Sequence, residues 1–397
     1  MHGMHMRKAT AALVGLLMAG VATTPAYADT IRSQQWHLDT MHAEDIWKIS
    51  TGKGITVAVV DTGVKSIPEL EGQVLSGKDF MAGKAEGDER TDYDGHGTTM
   101  SALIAGTGKH PSGDGAYGLA PGAKILPIRV PNTGEADTTP SWAAAIRYAA
   151  DSDARIINIS QARSSKPEDD RERAEAVRYA LSKGKLIFAG AGNNGDTHNR
   201  VMYPAATPGV VAVGAVDAEG EPTKESEHGP QVDMSAPGID IVTGCGSNTG
   251  VCKNHGTSDA TALASASAAL LWSAHPDWTN NQVLRVLLNT AGKPADGTQR
   301  NDYVGYGIVR PRIAVPNPGD PGPADVYPLP DLAAADAAKN PSPSGDGKAS
   351  GSAAPKPAPQ ADGEKSGSSL PWIALGLGAC VLIGGAVTAV VVRRRNH

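Results

Sequence analysis

The chain has 397 residues, 40% of them hydrophobic and 20% charged, which is typical of a globular protein long enough for more than one domain. Its formal net charge is −6 at pH 7, and no basic stripe interleaved with aromatic residues runs along it. The sequence therefore predicts no nucleic-acid partner.

The first residues have the pattern of a secretory signal peptide. Two basic residues, Arg7 and Lys8, precede an apolar run at 11–22, and the sequence Ala-Tyr-Ala then supplies the small residues of a cleavage site. We predict a signal peptide over 1–28, so that the mature chain begins at Asp29.

Short apolar runs alternate with longer amphipathic or small-residue stretches through the middle of the chain. The apolar runs are 55–60, 123–130, 154–160, 185–191 and 210–216, and the helical candidates are 99–106, 138–151, 168–183, 258–274 and 279–291. Short runs rich in β-branched residues are typical of parallel strands buried on both faces. This order predicts an α/β fold, with helices on both faces of one sheet and ligands at the carboxyl ends of its strands.

Two candidate site residues lie in the first half of the chain. Asp61 directly follows the first apolar run, where it would either cap the next turn or take part in a site. His96 has a glycine on each side, which lets other backbone approach closely, as a catalytic or ligand histidine requires. Taken alone, each residue is also consistent with a structural role.

Two further candidates lie in the second half. Asn193 follows the fourth apolar run and would either form an Asn-Gly turn or donate a hydrogen bond to an oxyanion. Ser258 would either cap the following helix or act as a nucleophile. The nucleophilic role needs a base, an orienting carboxylate and an oxyanion site elsewhere in the chain.

The sequence indicates a disulfide and no metal site or cofactor. Cys245 and Cys252 flank a short loop that would close as a disulfide after export, with two free thiols as the alternative. Their spacing does not fit a metal site. The acidic run at 87–94 does not match a calcium-loop spacing, so we predict a solvated loop there.

The composition changes near the C-terminus. Residues 316–369 contain 11 prolines, 7 glycines and 7 serines, which predicts a disordered linker. The uncharged run at 370–392 would be about 34 Å long as a helix, enough to cross a membrane. The arginine-rich tail at 393–397 would stay cytoplasmic, which leaves a folded domain over 29–315 outside the cell.

Four motifs together resemble those of the subtilisin-like serine proteases, the subtilases of peptidase family S8. They are DTGV at Asp61, HGT at His96, AGNNG around Asn193 and GTS at Ser258. The order Asp, His, Ser is that of subtilisin, and the resemblance covers about residues 36–315. It implies a subtilisin-like three-layer α/β fold and serine endopeptidase activity.

The resemblance also implies a role for each site residue. Ser258 would be the nucleophile, His96 the general base and acid, and Asp61 the residue that orients His96. The Asn193 side chain and the Ser258 backbone N–H would form the oxyanion hole. The substrate groove would be lined by Ser160, Gln161, Ala162 and Gly192.

The chain departs from the usual subtilase pattern in the substrate groove and after the nucleophile. Subtilases usually have Ser-Leu-Gly-Gly along the groove, and here Gln161 and Arg163 would make its walls more polar. Asp259 follows the nucleophile, where small or apolar residues are usual. It is either a favourable acid in the first turn of a helix or a charge that opposes the oxyanion and slows turnover.

The overall arrangement resembles the mycosins, membrane-anchored subtilases of type VII secretion in actinobacteria. Shared features are the signal peptide, the short stretch before Gln-Trp-His-Leu-Asp, which leaves no room for a long prodomain, and the C-terminal linker and membrane helix. Many mycosins have a cysteine where this chain has Tyr93. The resemblance implies protein or peptide substrates, a single-pass membrane location with an extracellular catalytic domain, and type VII secretion components as partners.

Two functional hypotheses follow. The first is a membrane-anchored serine endopeptidase that cleaves exported proteins through an acyl-enzyme intermediate. The second is a catalytically weak subtilase-fold scaffold that stabilises a secretion complex, which the altered groove and Asp259 motivate.

Overall fold

The computed structural model describes residues 29–81, 86–132, 139–166, 170–247 and 250–339. The predicted signal peptide, membrane helix and cytoplasmic tail lie outside these ranges. Within them, every helix is too short or too polar to span a bilayer.

The strands are β1 (Thr56–Asp61), β2 (Lys78–Asp79), β3 (Lys124–Arg129), β4 (Ile156–Ile159), β5 (Arg163–Ser164), β6 (Leu186–Gly190), β7 (Met202–Tyr203), β8 (Val211–Val216), β9 (Met234–Pro237), β10 (Ile241–Gly244) and β11 (Val251–Asn254). The helices are α1 (Trp36–Thr40), α2 (Ala43–Trp47), α3 (His96–Ala105), α4 (Thr139–Asp151), α5 (Arg171–Ser182), α6 (Thr257–Ala274), α7 (Asn280–Thr290), α8 (Pro311–Ala314) and α9 (Asp331–Lys339).

A parallel sheet with the strand order β2-β3-β1-β4-β6-β8-β9 forms the centre of the fold. The five predicted strands are confirmed as its five adjacent central strands. Their side chains alternate between the two faces: Val57 and Val59 pack into one core, and Ala58 and Val60 pack into the other. Burial on both faces explains why these runs are apolar without interruption.

Helices cover both faces of the sheet, which confirms the predicted three-layer α/β fold. Residues of α3, α6 and α7 form the core on one face, and residues of α4 and α5 form the core on the other. Helix α6 is buried along nearly its whole length and packs against β4, β6, β8 and β9. Its run of alanines and serines permits this close approach, because small side chains let a helix axis lie near its neighbours.

The sequence did not predict the outermost strands. Strand β2 has two residues, and β9 consists of Met234, Ser235, Ala236 and Pro237. Neither is a continuous apolar run, so neither has the signal that identified the central strands. The hairpin of β10 and β11, which carries Cys252, was also missed.

The linker was predicted to begin at residue 316, and this boundary is wrong. Residues 316–339 are described as folded chain that continues into α9, and Leu329 is 3% exposed in the core beside α7. Arg285 of α7 donates hydrogen bonds to the carbonyls of Pro321, Pro323 and Val326. Proline-rich chain lacks N–H donors but keeps its carbonyl acceptors, so one arginine can anchor a segment whose composition resembles a linker.

Substitutions in this segment test whether it is packed. Leu329→Ala removes buried methyl groups and should lower the free energy of unfolding by about 2–5 kcal/mol. Val326→Ala, at a side chain that is 51% exposed, should change it by less than about 0.5 kcal/mol. Urea denaturation of both variants measures the difference, and equal, small effects would mean that the segment is not part of the fold.

Candidate active site

Asp61 and His96 are joined by a hydrogen bond at the carboxyl end of the central sheet. Asp61 is the last residue of β1 and is 0% exposed, and His96 is the first residue of α3. The Asp61 Oδ1 to His96 Nδ1 distance is 2.7 Å. Gly95, with φ of 87°, precedes the helix in the left-handed region, which a glycine adopts without strain. The bond uses Nδ1, so Nε2 is the ring nitrogen left for a substrate or a nucleophile.

Asp92, which was not predicted from the sequence, fixes this geometry. Its buried carboxylate accepts hydrogen bonds from the Thr62 hydroxyl, the Gly95 N–H and the N–H and hydroxyl of Thr98. Thr62 adjoins Asp61, and the other two donors flank His96. Asp92 thus ties the end of β1 to the beginning of α3. It lies in the acidic run that we predicted as a solvated loop, and for Asp92 that prediction is wrong.

Ser258 lies in the first turn of α6 and does not cap the helix. The N-cap position is Gly256, and the Ser258 hydroxyl instead donates to the Ser160 carbonyl at 2.8 Å. The Ser160 hydroxyl in turn donates to the Ser258 carbonyl at 3.0 Å. These two bonds attach the beginning of α6 to the end of β4. The backbone N–H groups in the first turn of a helix have no acceptor within the helix, and this makes the position suitable for binding an anion.

Asn193 takes the capping role at α6 instead. Its Oδ1 accepts hydrogen bonds from the Thr257 N–H at 2.8 Å and from the Thr257 hydroxyl at 3.0 Å. Because an N–H can only donate, this contact fixes which end of the amide is oxygen. A Cβ atom at Gly256 would lie 2.9 Å from Asn193 Nδ2, so glycine is needed there for the approach. Because Oδ1 is used in this way, Nδ2 is the atom of the amide that can donate, and Asn193 and Ser258 line the same cavity.

Residues predicted for the substrate groove line a cavity of about 250 Å³ beside Ser258, which we call the smaller cavity. Its walls include His96, Ser160, Gln161, Ala162, Gly192, Asn193 and Ser258. The polar wall that we expected from Gln161 is not formed by its side-chain amide, which is buried and donates to Asp61 Oδ1 at 3.4 Å. Arg163 lies on β5, in an antiparallel pair with β7.

A larger cavity of about 690 Å³ lies on the other side of Ser258. Asp259 lines it and is 1% exposed, and Asp94, His96, Asn193 and Ser258 line both cavities. Burial raises the pKa of Asp259 to about 7, although the nearby charge of His96 and a hydrogen bond with the Asn254 side chain oppose that rise. Asp259 is therefore a buried acid beside the catalytic candidates as well as a first-turn residue.

The charges around His96 favour its protonated form. Burial by itself lowers the pKa of His96, but the charge and hydrogen bond of Asp61 outweigh it, with further contributions from Asp259 and Asp94, and the pKa rises to about 9. Because this folded-state pKa exceeds the ordinary 6.5, protonated His96 stabilises the fold below pH 6.5. That contribution is lost as the pH rises through about 9.

A disulfide joins Cys245 to Cys252, with their Cα atoms 5.8 Å apart. It closes the loop between β10 and β11, and both cysteines line the larger cavity. Among the described residues, no group of three or more His, Cys, Asp or Glu side chains is arranged to hold a metal ion.

Asp92 can be tested through protein stability. Asp92→Asn replaces acceptor oxygen by a donor against the buried Thr62, Gly95 and Thr98 donors, and should lower the free energy of unfolding by about 1–3 kcal/mol. Asp88→Asn, in the exposed part of the same loop, is the matched control and should cost less than about 1 kcal/mol. Equal losses for the two variants in chemical denaturation would contradict this role.

The pKa of His96 can be measured by NMR titration of its imidazole. We expect a value near 9 in the native protein. Asp61→Asn should bring it below 6.5, because burial then dominates, and Asp259→Asn should lower it by a smaller amount. Asp240→Asn, whose partner is the exposed Lys253, should leave it unchanged. A native pKa at or below 6.5 would show that Asp61 does not stabilise the imidazolium.

Known proteins are similar to this chain in sequence and in fold. The sequence profile described as "Subtilase family" matches residues 52–307. Mycosin-1 of Mycobacterium tuberculosis (strain ATCC 25618 / H37Rv) is 32% identical over 342 residues, covering 73% of this chain and 74% of that protein. A crystal structure of MycP1 from Mycobacterium smegmatis has a TM-score of 0.65 at 28% identity, covering 76% of this chain and 89% of that one.

A structure of the periplasmic assembly from the ESX-5 inner membrane complex contains a chain that is 29% identical, with a TM-score of 0.64. The match covers 77% of this chain and 89% of that one. The chain described here therefore belongs to the subtilase family of serine proteases, peptidase family S8, and is related to the mycosins of type VII secretion systems.

Proposed function

We propose that the protein is a membrane-anchored, extracytoplasmic serine endopeptidase in which Asp61, His96 and Ser258 form the catalytic triad. The observation that carries this proposal is the Asp61 to His96 hydrogen bond of 2.7 Å beside a serine at the beginning of a buried helix. His96, Asn193 and Ser258 line the same two cavities, so a substrate carbonyl at Ser258 would meet all three.

The chemistry proceeds by acyl transfer. Ser258 Oγ attacks the carbonyl carbon of the scissile peptide bond while His96 Nε2 takes the hydroxyl proton. The tetrahedral intermediate collapses as His96 returns that proton to the leaving nitrogen, which frees the amine product. Water, activated by His96, then hydrolyses the ester on Ser258 and releases the acid product.

Two features of the resting site bear on these steps. The Ser258 hydroxyl donates to the Ser160 carbonyl, and it must leave that acceptor and turn to His96 before it can attack. A long or absent serine to histidine bond is common in the absence of substrate. The pKa of His96 near 9 means that the fraction of neutral base, and with it the rate, should increase with pH up to that value.

Asn193 supplies the oxyanion donor in this proposal. Thr257 holds its Oδ1, which directs Nδ2 to the site where the negative charge develops. Such a preorganised donor stabilises the tetrahedral intermediate more than the substrate and therefore increases kcat. The Ser258 backbone N–H in the first turn of α6 is the second donor.

The location and partners follow from the termini and from the related proteins. The predicted signal peptide at 1–28 and membrane helix at 370–392 would leave the catalytic domain outside the cell and tethered to the membrane. A related chain forms part of the periplasmic assembly from the ESX-5 inner membrane complex. We propose that this protein likewise acts with type VII secretion components, on exported proteins as substrates.

A scaffold with weak catalysis is the second candidate function. It is favoured by Asp259, whose buried carboxyl adjoins the nucleophile and, when ionised, opposes the negative charge of the tetrahedral intermediate. Loss of the Ser258 hydroxyl separates the two candidates: a scaffold would still restore secretion to a strain that lacks the protein, and a protease would not.

Hydrolysis of fluorescein-labelled casein tests the proposed roles. Ser258→Ala should reduce hydrolysis to background, and Asn193→Ala should reduce kcat about 100- to 1000-fold, the loss known for an oxyanion-hole donor in subtilisin. Asn193→Asp is the matched variant, because it keeps the acceptor for Thr257 but removes the Nδ2 donor. It should be at least as impaired as Asn193→Ala. Near-normal activity of Asn193→Asp would mean that the residue acts only as a helix cap.

A further inference from the structure

Two cavities meet at Ser258. The residues predicted for the substrate groove line only the smaller cavity. The smaller cavity lies along Ser160, Gln161 and Ala162, beside the oxyanion donor Asn193. The larger cavity extends from Ser258 over Asp259 toward the β10–β11 hairpin. A peptide that crosses the nucleophile therefore places one half in each cavity.

The acyl-transfer mechanism determines which half of the peptide lies in which cavity, so this inference rests on the proposed function. The acyl half stays bonded to Ser258 with its oxygen at Asn193, in the smaller cavity with the groove residues. The leaving half departs on the opposite side of the nucleophile, into the larger cavity. The side chain of the first residue after the scissile bond then lies close to Asp259.

Asp259 has an unused acceptor at this position. The carboxyl is buried, and the Asn254 side chain hydrogen-bonds it, but Oδ1 has no hydrogen-bond partner among the described residues. A buried acceptor without a partner costs free energy until a donor reaches it. A substrate side chain with a donor at its end would satisfy this oxygen.

The cationic side chains that line the larger cavity have other partners. Lys65 Nζ donates to the Gly246 carbonyl at 2.8 Å, and Lys253 Nζ pairs with Asp240 at 2.8 Å. His255 pairs with Glu225 at 2.8 Å. His96 is bonded to Asp61 through Nδ1 and is neutral when it acts as a base. In the described part of the chain, therefore, no lysine or arginine forms an ion pair with Asp259.

We propose that Asp259 selects substrates with lysine or arginine immediately after the scissile bond. A terminal ammonium or guanidinium would donate to Asp259 Oδ1 and balance its charge in a site shielded from water. This positive charge would also offset the repulsion between Asp259 and the oxyanion. Asp259 would therefore favour hydrolysis of substrates with lysine or arginine at this position, and would slow hydrolysis of other substrates.

Acyl transfer isolates the leaving side of the site. The full-length protein in detergent micelles is acylated by a peptide thiobenzyl ester, with release of the thiol. The acyl-enzyme is then divided between water and an added amino-acid amide, whose α-amine takes the acyl group and forms a peptide bond. Lysine, arginine, norleucine and glutamate amides are compared at one pH by product ratio. Acylation and the pKa of His96 affect both routes alike, so they cancel in this ratio.

The native protein should transfer the acyl group to lysine and arginine amides about 10- to 100-fold more efficiently than to norleucine amide, as expected for a buried charge-assisted hydrogen bond. Glutamate amide should be the poorest acceptor. Asp259→Asn, which keeps the size but removes the charge, should reduce the lysine to norleucine ratio at least about tenfold. If Asp259→Asn does not fold, the comparison of lysine, norleucine and glutamate amides with the native protein alone tests the proposal.

Three results would overturn the proposal: equal use of lysine and norleucine amides, preference for glutamate amide, or a lysine preference that survives Asp259→Asn. Failure to release thiol from the ester, together with no labelling by a fluorophosphonate, would instead contradict the proposed function. The two failures are therefore separate observations.

Discussion

The Asp61 carboxylate is fully buried at the carboxyl end of β1, and its charge has to be stabilised by the groups around it. The His96 imidazole at 2.7 Å, the Thr62 N–H and the Gln161 amide all hydrogen-bond to the same oxygen of Asp61. A buried charge without such partners would be costly. The position of α3, which begins at His96, is therefore coupled to the stability of the sheet beneath it.

Ser258 lines the same cavities as His96 because α6 passes close to the sheet. Two serine-mediated contacts fix its depth: Ser258 and Ser160 exchange hydrogen bonds, and Ser265 donates to the Asn158 side chain of β4. Small side chains along α6 make this approach possible. The same helix carries Asp259, so the packing that positions Ser258 also places this carboxyl beside it.

The sequence was sufficient to predict the parts of the fold that depend on burial. The five central strands and α3 to α7 were recognisable because strands buried on both faces are uniformly apolar and helices between them have a longer period. Short elements such as β9 have too few residues for either pattern. The predicted linker boundary at residue 316 was wrong because Arg285 and packed side chains such as Leu329 and Tyr327 anchor a proline-rich segment.

The site residues that belong to recognisable sequence motifs could be predicted. Those whose role depends on contacts with other parts of the chain could not. Asp61, His96, Asn193 and Ser258 were singled out in this way. The structure places His96, Asn193 and Ser258 around two shared cavities and joins Asp61 to His96 by a hydrogen bond. Asp92 was missed because its role depends on donors from separate segments, although its position three residues before Gly95 is a local signal for such a contact. The inward turn of Gln161 depends on the buried oxygen of Asp61, which no sequence pattern reveals.

The most direct test of whether Asp61, His96 and Ser258 act as one catalytic unit is reaction with a fluorophosphonate probe, followed by mass spectrometry of the labelled peptide. The probe modifies a serine whose hydroxyl is activated by a general base. We expect one adduct, on Ser258, whose rate of formation increases with pH up to about 9, in step with the deprotonation of His96. A folded protein that forms no adduct, or an adduct on another serine, would contradict this account.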